Sequence, residues 1–206
     1  AVAPFTQISA QQLREGAFVP AADGALPRAQ HYLDALESAG RYQLMVWPVH
    51  CEIGSWGQNI HGAVRAAYNA WEVAQLQVVA KLSKGSNPWT EHYSAVMAEV
   101  PDPQDPATQL NIPFLDSLVS ADRIYICGEA GSHCVKASTE HIADYLQAQQ
   151  GREALARLVP LTDFDGEPIV IGGSHLQALI LACTAVVIAV VRRAELVGWA
   201  LPVVVV

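Results

Sequence analysis

The sequence predicts an α/β domain, a three-layer Rossmann-like parallel sheet with helices on both faces. Three observations carry this. Short apolar runs at Gln77 to Leu82, Arg123 to Cys127 and Leu158 to Thr162 have the length and bounding turn residues of buried strands. Segments of helical periodicity lie between them, and parallel strands need such crossovers to return the chain to the same end of the sheet. No internal repeat or low-complexity tract divides the chain, so residues 1–206 are expected to form one domain.

The elements follow in order. Gln30 to Ser38 carries helix formers with Leu33 and Leu36 on one side and a stop at Gly40, and Gln43 to Val46 is a short strand-like piece running into Pro48. After a turn-rich loop through Gly57, His61 to Gln75 is helical, with Val64, Tyr68 and Trp71 on one face. Gln77 to Leu82 is a buried strand that ends at Lys84-Gly85. Val100 to Pro106 is a proline-rich loop, and Ile112 to Ser120 is a helix that tolerates Pro113 in its first turn. Ile124 and Ile126 make Arg123 to Cys127 a buried strand. Ser132 to Gln150 is a helix stopped by Gly151, with Val135, Thr139, Ile142 and Leu146 on one side and Lys136, Glu140 and Asp144 on the other. Leu158 to Thr162 is the next strand. The uncharged run from Ala178 to Val191 is shorter than the roughly 20 residues that span a bilayer, so a buried core helix is expected. Leu201 to Val206 is expected to close the fold as a strand.

Composition narrows the function. The chain is 51% hydrophobic and 16% charged, which excludes disorder, and its formal charge of −8 argues against a nucleic-acid or anionic-membrane partner. Small molecules are the expected partners. Cys51, Cys127, Cys134 and Cys183 form no C-x-x-C pair, which fits a reducing, cytoplasmic compartment. The opening residues, Ala1 to Thr6, have neither a basic segment nor a long apolar core, so they do not read as a signal peptide but as a chain entered partway.

The chemistry is concentrated at two strand ends. Cys134 follows the strand Arg123 to Cys127 and sits in the first turn of a helix for which Ser132 is the expected N-cap. Amide N–H groups and the positive end of the helix dipole favour thiolate over thiol at such a position. The alternative is a small apolar cysteine packed under the helix. Lys84 follows another buried strand at what is expected to be the same edge of the sheet. A lysine within reach of a thiol stabilises the thiolate and can pass a proton to a leaving group.

Three blocks resemble the nicotinamidase-related cysteine hydrolases of the isochorismatase-like superfamily: Trp47-Pro48-Val49-His50-Cys51 with Gly54, Lys84-Gly85-Ser86-Asn87-Pro88 with Glu91-His92-Tyr93-Ser94, and Gly128-Glu129-Ala130-Gly131-Ser132-His133-Cys134-Val135. They stand in the family's order, and the similarity runs from Pro4-Phe5-Thr6 to about Asp163. The resemblance implies that Cys134 is the nucleophile and Lys84 the lysine of the catalytic triad. It implies an oxyanion hole from the amides of Ala130 and Cys134, with a cis peptide between Glu129 and Ala130. The implied reaction is hydrolysis of a small amide C–N bond through a thioester. Trp47 matches a residue near the substrate ring and His50 a metal ligand; their ordinary roles are core packing for the tryptophan and a hydrogen-bonded pocket residue for the histidine.

The sequence departs from the family in one respect. The catalytic aspartate at the end of the family's first strand and the Asp-x-His metal pair after its second strand have no counterpart, because residue 1 aligns beyond both. Asp34 falls on a predicted helix, and Asp163 and Asp165 follow a later strand. A divalent metal, zinc or iron, is therefore expected only if further ligands are supplied, since one histidine cannot hold it. Lacking its central first strand, the sheet is expected to expose unpaired edges, to be filled by a longer chain or by a second copy in a homo-oligomer. The alternative to an amidohydrolase is a catalytically silent relative that binds a small molecule or serves in assembly.

Overall fold

The main core forms where α4 (Ile112–Val119), β4 (Arg123–Gly128) and α5 (Lys136–Gln150) meet, and Leu115, Leu118, Ile124, Ile126, Ile142 and Leu146 are all fully buried there. The computed structural model describes residues 2–128, 130–160, 186–191 and 202–205. Burying these large aliphatic side chains, each worth about 1.5–3 kcal/mol, is what orders the elements around them. On α5 the buried stripe is Ala137, Ser138, His141, Ile142 and Leu146, so the inward face is rotated from the expected one and includes a serine and a histidine in place of Thr139.

A smaller cluster of Ile8, Ala10, Leu13 and Leu33 ties α1 (Ala10–Arg14) to α2 (Leu26–Ser38). Helix α1 is not among the elements expected from the sequence. Its signal is a capping box, in which the Ser9 side chain accepts from the Gln12 amide and the Gln12 side chain accepts from the Ser9 amide. Helix α2 starts four residues before Gln30, because Pro27 fits a first helical turn, and it stops where Gly40 adopts φ 68°. β1 (Gln7–Ile8) and β2 (Leu44–Met45) form an antiparallel pair of their own, with Gln7 opposite Met45. The expected strand Gln43 to Val46 therefore exists in shortened form, outside the main sheet.

The main sheet contains β3 (Ala80–Leu82), β4, β5 (Leu158–Pro160), β6 (Val186–Val191) and β7 (Pro202–Val205), in the order β3-β7-β6-β4-β5. β3 pairs parallel with β7 and β4 parallel with β5, whereas β6 is antiparallel to both β4 and β7. The sheet is mixed and not parallel as expected. The cause is β6, part of the run taken from sequence as a buried helix. Periodicity does not separate a buried strand from a buried helix in a short apolar run, and all its residues except Ala189 are β-branched, which favours the strand. Residues 178–185 of that run, and 161–162 of the expected strand Leu158 to Thr162, lie outside the described residues.

The C-terminal strands β6 and β7 occupy the middle of the sheet, between β3 and β4. Helix α3 (Gly62–Gln75) contributes no buried residue, and the strands are short, so the expected three-layer sandwich reduces to a mixed α/β fold with a small sheet. Among the described residues, no helix is long and apolar enough to cross a membrane.

Candidate active site

Two strands carry the site residues to one edge. β3 is parallel to β7, and two antiparallel pairings through β6 bring β4 back to the same direction, so the chain leaves β3 and β4 at the same end of the sheet. Lys84 follows β3 and Cys134 follows β4. The Lys84 Nζ lies 3.6 Å from the Cys134 Sγ and donates to the His92 carbonyl at 2.8 Å. Cys134 is buried at 7% exposure, so bulk water does not screen this pair as it would on the surface.

Cys134 stands in a single π turn, Gly131–Val135, that precedes α5. The Ala130 carbonyl accepts from the amides of His133 at 3.1 Å and Val135 at 3.3 Å. Such turns widen the helix locally and recur at functional sites. Ser132 does not cap the helix as expected; its hydroxyl meets His133 Nδ1 at 2.9 Å instead. The turn is fastened from below by Ser138, whose Oγ donates to the Cys134 carbonyl at 2.6 Å and accepts from the Ala95 amide at 2.8 Å. Glu129, and with it the expected Glu129–Ala130 cis peptide, lies outside the described residues, as does Cys183.

An aromatic wall stands beside the cysteine. The His133 ring stacks on Tyr42 at 5.6 Å between centroids and meets the edges of Tyr93 at 5.2 Å and Trp47 at 5.4 Å. The Trp47 indole donates to the Tyr93 hydroxyl at 3.0 Å. Trp47 thus packs against the main core while bordering the site, which joins the two roles considered for it. Burial, followed by the charge of Lys136, pushes the His133 pKa below its ordinary value. Burial raises that of Tyr93, with Glu91 adding to the effect, so the phenol stays protonated and the indole finds a neutral acceptor. Behind Tyr42, the Arg41 guanidinium meets His141 Nε2 at 2.6 Å and Glu140 at 3.0 Å, tying the loop after α2 to α5.

His92, quoted from sequence only as part of a block, is built into the site. The Gly85 amide donates to its Nδ1 at 3.2 Å, which places the ring proton on Nε2, a buried atom with no hydrogen-bond partner among the described residues. Burial, and then the Lys84 charge, lower its pKa to about 4, so the ring is neutral at physiological pH. Tyr93 and His133 likewise stand only inside the quoted blocks, and no local spacing signals Tyr42 or Ser138, whose contacts with His133 and with the Ala95 amide join segments far apart in the chain.

His50 is exposed, and its Nδ1 lies 2.6 Å from the Pro48 carbonyl. No group of three metal-ligating side chains gathers among the described residues, so the donors there do not fit the metal that the resemblance implies. Asp34 is paired with Arg14 at 2.6 Å on the far helix pair, and Asp163 and Asp165 lie outside the described residues. Among the described residues, salt bridges reach Arg14, Arg28, Arg41, Lys81 and Lys136, and none reaches Lys84.

The fold and this geometry define an α/β protein in which a half-buried lysine meets a buried cysteine at one sheet edge. No family model matches the chain, nor does any curated protein or solved structure.

Proposed function

We propose that this protein is a cysteine hydrolase of the nicotinamidase-related kind, cleaving the C–N bond of a small carboxamide. The supporting observation is the approach of Lys84 Nζ to Cys134 Sγ at 3.6 Å, between residues 50 apart in sequence. Solvated lysines do not take that position by default, and an ammonium beside sulfur attracts the nucleophilic thiolate. In the proposed reaction the Lys84 ammonium holds the Cys134 sulfur as thiolate, and the sulfur attacks the carbonyl carbon. The amides of Ala130 and Cys134 are the proposed donors to the oxyanion. As the C–N bond breaks, the leaving nitrogen takes the proton from the Lys84 ammonium. Water then attacks the thioester, its oxygen staying with the acid and a proton returning to the sulfur–lysine pair. Trp47 and the aromatic wall suit a flat acyl group, and a thiol nucleophile suits a reducing cytoplasm.

One observation favours the second reading, a silent relative that binds small amides without turning them over: among the described residues, no carboxylate forms a salt bridge with Lys84. A panel of nicotinamide, carbamoyl compounds and aliphatic amides, followed by ammonia release, separates the two. Turnover that disappears in Cys134→Ala and in Lys84→Ala supports the hydrolase. Saturable binding with no ammonia released supports the silent relative.

A further inference from the structure

We propose that His92 is the positioning residue for the lysine, holding Lys84 against Cys134 by two separate contacts; this rests on the hydrolase reading above. The first contact is the His92 carbonyl, which accepts from Lys84 Nζ at 2.8 Å while the same nitrogen faces sulfur at 3.6 Å. The second is the ring, whose Nδ1 accepts from the amide of Gly85, the next residue after the lysine, at 3.2 Å. One residue therefore grips the lysine at its tip and at its root. Gly85 adopts φ +77°, a conformation that side chains rarely take, so the turn after Lys84 has little intrinsic preference of its own and is set by what holds its amide.

The grip is itself rigid. The Glu91 carbonyl accepts from the Glu99 amide at 2.8 Å, the His92 amide donates to the Glu91 carboxylate at 3.1 Å, and the Ala95 amide is held by Ser138 at 2.8 Å. Since Ser138 also holds the Cys134 carbonyl, nucleophile and lysine are referred to one short segment, residues 91–95. The ring can accept from Gly85 only while neutral, and its burial keeps it so.

The test is the rate of Cys134 alkylation by iodoacetamide as a function of pH, followed by peptide mapping, on the full chain and on Lys84→Ala, His92→Phe, His92→Leu and His92→Asn. Phenylalanine keeps a ring without an acceptor, leucine covers the case in which that ring does not fit, and asparagine restores an acceptor near the Nδ1 position. Circular dichroism identifies the folded variants. The expected result is that the variant without an acceptor loses about two- to tenfold in rate at neutral pH, the worth of one hydrogen bond, with its profile moved toward that of Lys84→Ala, while His92→Asn follows the parent. A parent-like profile in His92→Phe or His92→Leu overturns the proposal, as does a His92→Asn profile that falls as far as theirs. If Lys84→Ala itself leaves the profile unchanged, the lysine–cysteine pair and the positioning role fall together. Loss of ammonia release with these profiles intact removes only the hydrolase reading.

Discussion

Acid should weaken this fold through His92 in particular. The residue is 7% exposed, and its pKa falls from 6.5 to about 4 on folding, first through burial and then through the charge of Lys84, with His141 acting in the same direction and Asp105 against it. Between these two values the unfolded chain binds a proton at this site that the folded chain does not, so stability falls as the pH drops through the window. It is fully retained above 6.5 and fully lost below about 4. At roughly 1.4 kcal/mol per pH unit, the loss amounts to about 3 kcal/mol. His133 and His141, whose pKa values are also lowered chiefly by burial, add to the slope of any variant that keeps them. The comparison is therefore between the parent and His92→Asn, each unfolded in urea at a series of pH values from neutral to acid. The parent should lose about 3 kcal/mol more than the variant over the window. Equal slopes in the two proteins would show that His92 is not held neutral by its surroundings, and the reasoning fails.

Three further outcomes follow from the packing. Ser138→Ala strands the buried Ala95 amide and removes the donor to the Cys134 carbonyl, so the urea midpoint should fall by the equivalent of about 1–3 kcal/mol; an unchanged midpoint would mean that the π turn does not depend on this hydroxyl. Leu115→Ala opens a cavity in the main core at a fully buried position and should cost about 2–5 kcal/mol by the same measurement, whereas a cost near zero would place Leu115 outside the core. Trp47→Phe keeps an aromatic ring but loses the bond to the Tyr93 hydroxyl, and about 1 kcal/mol in thermal stability should go with it; a variant as stable as the parent would make that bond incidental.

The sequence by itself determined the elements with strong local signals. Leu33, Leu36 and Gly40 defined the second half of α2, Pro113 marked the start of α4, and Ile124 and Ile126 marked the buried strand β4, because periodicity, capping and backbone preference act over a few residues. Lys84 and Cys134 were legible as a pair from their places after two strands, and the tertiary structure sets them 3.6 Å apart. What only the tertiary structure decided were the matters that depend on a partner distant in the chain. Val186 to Val191 became a strand by pairing along β4, which an apolar run cannot announce, and that pairing made the sheet mixed and put the C-terminal strands at its centre. Ser132 was a good cap by residue type but lost that role to a π turn, and Ser138 turned inward because Ala95 and the Cys134 carbonyl lie there to receive it. His92 gained its place in the same way: its ring nitrogen and carbonyl have value only where β3 delivers Lys84 and Gly85, and burial among them, not residue type, keeps the imidazole neutral.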